Sequence, residues 1–527
     1  SLAKIVHGAG EMEMVIPPRG DIMDRNGHLL VTDIFQYEVS AAPNMVKDPW
    51  EIADRLAPLL GASREEVCAQ LSSKDPYVLL GRHIPQGNGE IIASWDLAVI
   101  SVQPRPKRAY PEKNLAAHLL GFVAETHKGY YGVEGYYNSS LRGEDPSLGV
   151  EKDHAREELL SGLPRFTVPK AGKDLALTID RFIQYMIERE LEQAIFRFRA
   201  EGGTIIVMDP RRGAILAMAS FPSYDLDLFS ETPSELFVDP AISSQYEPGS
   251  VFKIITVAAG LDAGVISPQS TFYDSGVVEV GGRAITNWDR RGHGLVTMSE
   301  ILAKSLNVGA AYISTTLGKD RFYSYVRRFG FGRITEVDLS GEVPGTLKLP
   351  GDNEWHESDL GTNSFGQGIA VTPLQMINAV AAVANRGFLM KPYVVERFID
   401  GDRVVDVQPA VVRRAISSST AAQLTAMLVE AVEKGAELAV IPGYRITGKT
   451  GTAQIPTPAG YDPQQTIASF VGYAPADDPQ FIVLVKIDKP QTSPWGVQVA
   501  APVFRAVAEQ LFMYLGIPPD NVRLASR

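Results

Sequence analysis

The chain has 527 residues, 45% of them hydrophobic and 21% charged, and a formal net charge of −12. That hydrophobic share is ordinary for folded protein, so the length implies several domains of roughly 100–200 residues rather than disorder. The acidic surplus excludes the basic footprint of a nucleic-acid binder, and a single cysteine, Cys68, excludes internal disulfides and cysteine-based zinc sites.

The eight histidines are scattered and no His-Glu-x-x-His occurs, so neither a zinc hydrolase nor any other metal site is expected. No apolar run approaches the roughly 18 residues needed to span a bilayer. The chain starts at Ser1 rather than Met, which reads as a trimmed end.

Ile16–Val31 reads as two short strands about the Asn26-Gly27 turn. Residues 49–72 are predicted helical: Trp50, Ile52, Leu56, Leu59 and Leu60 fall near helical spacing, and Ser63 with Glu66 makes a capping box. Pro- and Gly-punctuated segments follow to about residue 170 and leave little room for one large core, so 1–170 is read as an elongated mixed module.

From Leu175 the pattern changes. Leu175–Ile179 is a predicted strand and Arg181–Arg199 a helix with Ile183, Met186, Ile187, Leu191 and Ile195 on one face. Thr204–Met208 and Ala214–Ala219 form a hairpin about Pro210–Gly213. Helices are expected to dominate from about 250 to 435. Strands return at Tyr444–Thr447, Ile467–Tyr473 and Gln480–Ile487, the last two joined through Pro475–Pro479, and a final helix covers about Ala501–Leu515. Strands at both ends with helices between predict an α+β domain over 171–527, one antiparallel sheet flanked by helices.

Three short motifs carry chemistry. Ser250-Val251-Phe252-Lys253 opens an apolar helix. Spacing i, i+3 puts the serine and lysine on one helical face, where an amine of lowered pKa can take the hydroxyl proton. Alone the pattern is equally a capping serine beside a surface lysine, and it recurs at Ser1-Leu2-Ala3-Lys4. Ser305-Leu306-Asn307 falls at a break between helical stretches, either an ordinary cap or a relay serine with an amide-holding asparagine. Lys449-Thr450-Gly451-Thr452 follows a predicted strand. There Gly451 admits a ligand close to the backbone, and Lys449 with the threonine hydroxyls suits a carboxylate. The backbone N–H groups of Thr452 and Ser250 suit an oxyanion, unless the run is only a strand-end turn with a solvated lysine.

Together and in this order, the motifs resemble those of the penicillin-recognising serine acyltransferases, the penicillin-binding proteins and serine β-lactamases. Arg19-Gly20-Asp21-Ile22-Met23-Asp24-Arg25-Asn26-Gly27 resembles the first box of class B penicillin-binding proteins. Arg108–Pro111 with Ala116–Gly121 resembles the second box, and Gly132–Tyr137 with Leu141–Gly143 the third. The resemblance covers about residues 15–515 and implies a non-catalytic, dimerisation-type pedestal over 1–170 carrying a transpeptidase over 171–527.

It further implies a D,D-transpeptidase that cross-links peptidoglycan stem peptides ending in D-Ala-D-Ala through an acyl-enzyme on Ser250, is inhibited by β-lactams and needs no cofactor. Lys253 and Ser305 would complete the catalytic set, and Asn307, Lys449, Thr450, Gly451 and Thr452 would bind substrate. A single N-terminal anchor, a catalytic domain outside the cytoplasmic membrane, and a membrane glycosyltransferase with other division proteins as partners are implied too. Ser-x-Asn, Ser364–Gly368 with Val371–Gln375, and Ser469–Pro475 resemble the division type, while elongation and sporulation relatives remain alternatives. A class A glycosyltransferase domain is not resembled.

A β-lactamase would need a deacylating Glu-x-x-Leu-Asn, which Glu357–Gly361 matches only in part, and has no use for a pedestal. The pedestal boxes likewise disfavour a β-lactam sensor, and the intact motifs disfavour a silent scaffold.

Overall fold

A computed structural model of the chain describes residues 17–143, 170–457 and 460–525. In the N-terminal part, β1 (Ile22–Met23) and β2 (Leu29–Ala41) pair antiparallel around the Asn26-Gly27 turn, as the sequence predicts. Asp24 closes that turn, accepting from the backbone N–H groups of Asn26 and His28, each at 2.8 Å. The helical stretch 49–72 breaks at Gly61 into α1 (Pro49–Leu60) and α2 (Arg64–Leu71), the second opened by the Ser63–Glu66 capping box. Strands β3 (Val78–Pro85) and β4 (Ile100–Ala109) both pair with β2. Val39, Leu56, Val67, Leu71 and Ile84 make a small core of their own beneath them.

The second part opens with β5 (Asp174–Leu177), α3 (Arg181–Phe198) and the hairpin β6 (Gly202–Asp209) and β7 (Ala214–Phe221). Next come α4 (Lys253–Asp262), the short strands β8 (Thr271–Asp274), β9 (Val277–Val280), β10 (Arg283–Thr286) and β11 (Gly294–Thr297), and helices α5 (Met298–Ala303) and α6 (Asn307–Leu317). α7 (Pro373–Ala384), β12 (Val395–Asp400), β13 (Arg403–Asp406) and α8 (Ser418–Gly435) lead to β14 (Lys449–Thr457), β15 (Gly460–Ala474), β16 (Phe481–Asp488) and α9 (Gly496–Tyr514).

A five-stranded antiparallel sheet, ordered β14-β15-β16-β6-β7, organises this part. Strand alternation sends Ile205 and Val207 into a core shared with α3 and α9, and Ile206 and Met208 into one shared with α4 and α7. Both faces are covered, which explains why these strands read as continuous apolar runs. A seven-stranded sheet, ordered β13-β12-β5-β1-β2-β3 with β4 also on β2, joins the two parts through β5. Ile22, Leu30 and Leu119 belong to the same core as α4 and α7.

Two expectations are corrected. Tyr444–Thr447 is not a strand. The Thr447 hydroxyl exchanges hydrogen bonds with the backbone of Tyr473, donating to its carbonyl at 2.8 Å and accepting from its N–H at 3.1 Å, and the ladder starts at Lys449. The region from 250 to 435 also holds strands β8–β13, most of them four residues long and without a clean alternation of apolar and polar residues.

The three sequence boxes of the N-terminal part meet in one buried ion cluster. Glu134 accepts from Arg19 Nη2 at 2.5 Å and from Arg108 Nε at 2.7 Å, with side-chain exposures of 0%, 2% and 2%. Arg108 also reaches Asp33 at 2.9 Å and the Gly20 carbonyl at 2.8 Å. Removing the shared carboxylate takes from the buried Arg19 guanidinium its carboxylate partner and leaves Arg108 with Asp33, a change that costs about 3–5 kcal/mol in comparable buried pairs. Glu134→Ala is therefore expected to destabilise the N-terminal part by that order in chemical denaturation followed by fluorescence; a loss below about 1 kcal/mol would contradict this account.

Candidate active site

Ser250 sits in a single 3-10 turn, Gly249–Phe252, that runs straight into α4. The helix is apolar on every face, with Ile254, Ile255, Val257 and Ala258 all buried. Lys253 therefore has no path along which to reach water, and it is 0% exposed.

Its Nζ is surrounded instead by Ser250 Oγ at 3.0 Å, Ser305 O at 2.7 Å, Ser305 Oγ at 3.2 Å and Asn307 Oδ1 at 2.8 Å. The Asn307 amide is oriented by its Nδ2, which donates to Thr286 O at 3.0 Å. Two of the four partners are thus carbonyl oxygens, which can only accept. A neutral amine has two N–H donors and one lone pair. With the donors on the two carbonyls, the lone pair is left for a hydroxyl, and that of Ser250 is the nearer. Burial first, then the charge of Lys449, holds the Lys253 pKa well below that of a free lysine.

Ser305 occupies the break between α5 and α6 with φ +58°. This left-handed backbone is costly for a residue with a Cβ, by about 1 kcal/mol or more, and it lets both the carbonyl and the hydroxyl face Lys253.

Lys449, Thr450, Gly451 and Thr452 begin β14, the edge of the five-stranded sheet. Lys449 is buried, which brings its pKa down to about 7, and its Nζ donates to Thr450 O at 3.2 Å. The Thr452 hydroxyl accepts from Gly496 N–H at 3.0 Å, keeping its own proton free to donate.

Two close backbone approaches assemble the pieces. A Cβ on Gly451 would lie 2.4 Å from Ser469 Oγ, 2.9 Å from Val251 Cγ2 and 3.1 Å from Pro248 O. Only glycine lets β14 lie against the turn that carries Ser250. Gly249 donates to Gly366 O at 3.2 Å, and a Cβ on Gly366 would stand 2.3 Å from Gly249 O.

The structure thus brings Ser250, Lys253, Ser305 and Asn307 to one point and sets the Lys449–Thr452 strand against it. Asn307 was expected to hold a substrate amide; its carboxamide bonds Lys253 and Thr286, leaving one N–H free. The copy of the first motif at Ser1–Lys4 lies outside the described residues. Glu247 was not foreseen: it accepts from Gly368 N at 2.9 Å and Tyr461 OH at 3.1 Å, and so ties the Ser250 turn to β15. Burial raises its pKa. No spacing rule points to it, since its partners come from distant segments. Among the described residues no group of three or more His, Cys, Asp and Glu side chains is arranged to hold a metal ion.

The penicillin-binding protein transpeptidase domain matches residues 203–509, and the penicillin-binding protein dimerisation domain matches residues 14–177. The chain is 36% identical to stage V sporulation protein D of Bacillus subtilis over 97% of this chain and 80% of that protein. It is 30% identical to peptidoglycan D,D-transpeptidase FtsI of Escherichia coli over 97% of this chain and 86% of that protein. Among solved structures, penicillin-binding protein 3 of Mycobacterium tuberculosis complexed with aztreonam superimposes with a TM-score of 0.75 at 26% identity, covering 96% of this chain and 98% of that one. The chain belongs to the class B penicillin-binding proteins, serine-type transpeptidases that carry a dimerisation domain.

Gly451→Ala is expected to force β14 away from the Ser250 turn, with a stability loss of about 1–3 kcal/mol and slower covalent labelling by fluorescent penicillin. Melting curves and labelling time courses check this; a variant that matches wild type in both would show that the approach is not tight.

Proposed function

We propose that the chain cross-links peptidoglycan through an acyl-enzyme on Ser250. The observation that carries this reading is the buried Lys253 amine, whose two carbonyl partners leave its lone pair to the Ser250 hydroxyl. Lys253 accepts the proton as Ser250 Oγ attacks the carbonyl between the two terminal D-Ala residues of a stem peptide. The backbone N–H groups of Ser250 and Thr452 hold the oxyanion. Ser305 passes the proton to the leaving D-Ala. An amine of a second stem peptide then attacks the ester, forming the cross-link and releasing Ser250.

Lys449, Thr450 and Thr452 receive the substrate carboxylate, and Gly451 admits the peptide beside the sheet edge. Asn307 orients Lys253 and offers its remaining N–H to a substrate carbonyl. β-Lactams enter by the same route, because they carry a carboxylate and a strained amide in matching places. In this reading residues 1–170 are the pedestal and 171–527 the transpeptidase, working on the extracytoplasmic side of the cytoplasmic membrane beside a membrane glycosyltransferase.

The role we assign is septal synthesis, supported by the Ser-x-Asn form of the second motif. A sporulation role is the second reading, favoured by the 36% identity to stage V sporulation protein D. Depletion in the source organism separates them: filaments support the first, and normal division with blocked sporulation supports the second.

Mass spectrometry of a penicillin-treated digest is expected to find the adduct on Ser250, with labelling abolished in Ser250→Ala. An adduct elsewhere would sink the assignment. The second-order acylation rate is expected to follow a bell in pH. It rises as Lys253 loses its proton, and it falls above about 7 as Lys449 loses the charge that attracts the carboxylate. With an esterified ligand the falling limb should disappear; its persistence would remove Lys449 from carboxylate recognition.

A further inference from the structure

Two tryptophans near the site have no part in the chemistry above. Trp288 is 57% exposed and Trp495 is 41% exposed, yet their rings meet edge to face with centroids 5.6 Å apart and planes at 68°. What sets this pair apart is less its exposure than its place, since the two rings come from distant segments and meet beside the site. Each is tied to a different wall of the active site. Trp288 follows β10 and donates its indole N–H to Lys304 O at 3.2 Å, next to Ser305. It stands two positions beyond Thr286, whose carbonyl holds Asn307. Trp495 precedes Gly496, whose N–H holds the Thr452 hydroxyl at 3.0 Å.

The contacts therefore close a circuit around the nucleophile. It runs from Ser250 through Lys253 and Asn307 to the Trp288 loop, across the ring pair to Trp495, through Gly496 to Thr452, and back to the Ser250 turn, where a Cβ on Gly249 would lie 3.2 Å from Thr452 O. Every other link is made of backbone or of buried or half-buried groups. The ring pair is the link made by two exposed side chains, so it is the one that can part without disturbing the rest.

We infer that Trp288 and Trp495 form an aromatic clasp across the mouth of the groove, at the Thr452 end, and that it selects against ligands with bulk beside their carboxylate. This rests on the proposal that Thr452 receives that carboxylate. A slender terminus such as D-Ala fits beneath the closed rings. A bulky substituent at that point must part them and forfeits their contact, a penalty equivalent to roughly 2- to 12-fold in rate for an edge-to-face pair.

The test compares two cephalosporins that differ only in the substituent next to the carboxylate, hydrogen against a large heterocycle. The readout is the ratio of their second-order acylation rates, bulky over small. Trp288→Ala and Trp495→Ala are each expected to raise this ratio by about 2- to 12-fold, and the double variant to raise it no further, since either change alone removes the contact. Trp288→Phe keeps an edge-to-face partner and should stay near wild type. A change equal for both ligands, or single effects that add in the double variant, would overturn the clasp. Failure of wild type to be acylated at Ser250 by either ligand would instead refute the underlying acyl-enzyme reading.

Discussion

The site depends on one constraint: an amine buried away from solvent, with two carbonyl oxygens and two hydroxyls around its nitrogen. An ammonium at Lys253 would carry a large desolvation penalty beside a second buried lysine, and burial acts on both. The neutral form answers this, because its two donors meet two carbonyls and its lone pair meets a hydroxyl. In the proposed reaction the same arrangement makes Ser250 the nucleophile. In that reaction the lysine serves as a base because the surrounding helix is largely apolar, so the hydrophobic core sets the proton chemistry.

That requirement reaches outward. Carbonyls must point at Nζ, and one of them comes from Ser305 in a backbone conformation that a residue with a side chain seldom adopts. The strain is held by α5 before it and α6 after it, both packed into the main core. Asn307 contributes the other carbonyl only because Thr286 fixes which end of its amide faces in. Thus a strand of the small hairpin, β10, supports the candidate site although nothing in its own sequence is reactive. The seven-stranded sheet plays a comparable role at longer range, since β5 carries pairing from the N-terminal part into the catalytic part.

What could be read from the sequence follows the range of the interactions. The Ser250–Lys253 pair was legible because i, i+3 spacing on a helix fixes proximity without knowledge of the fold. The sheet strands were legible through their apolar runs, and α3 through its periodic face. Strands β8–β11 were not, because they are four residues long and carry apolar side chains such as Tyr273, Val277 and Leu295 at exposed positions, which blurs the alternation. Tyr444–Thr447 has strand composition, but the Thr447 hydroxyl takes the Tyr473 N–H that the next rung of the ladder would need. Glu247 and the Trp288–Trp495 pair were invisible for another reason: their partners lie on segments that only tertiary structure brings together.

The same geometry separates transfer from hydrolysis. An ester on Ser250 waits for an amine only if no nearby group activates water. Among the described residues, the groups around Lys253 Nζ are hydroxyls and carbonyls, with no carboxylate. The partial lactamase-like run at Glu357–Gly361 does not supply one. Glu357 pairs with Lys319 at 2.9 Å, and Asp359 caps the start of its own helix by accepting from His356 N at 2.9 Å. Glu247, the carboxylate nearest in sequence to the nucleophile, has one oxygen held by Gly368 and Tyr461 and the other sealed from solvent. Acidic residues are plentiful in this chain, yet those closest to the site are engaged as caps, ion pairs or ties between segments. In the proposed reaction, the absence of a carboxylate among the described partners of Lys253 Nζ favours an acyl-enzyme that persists until a second peptide strand arrives.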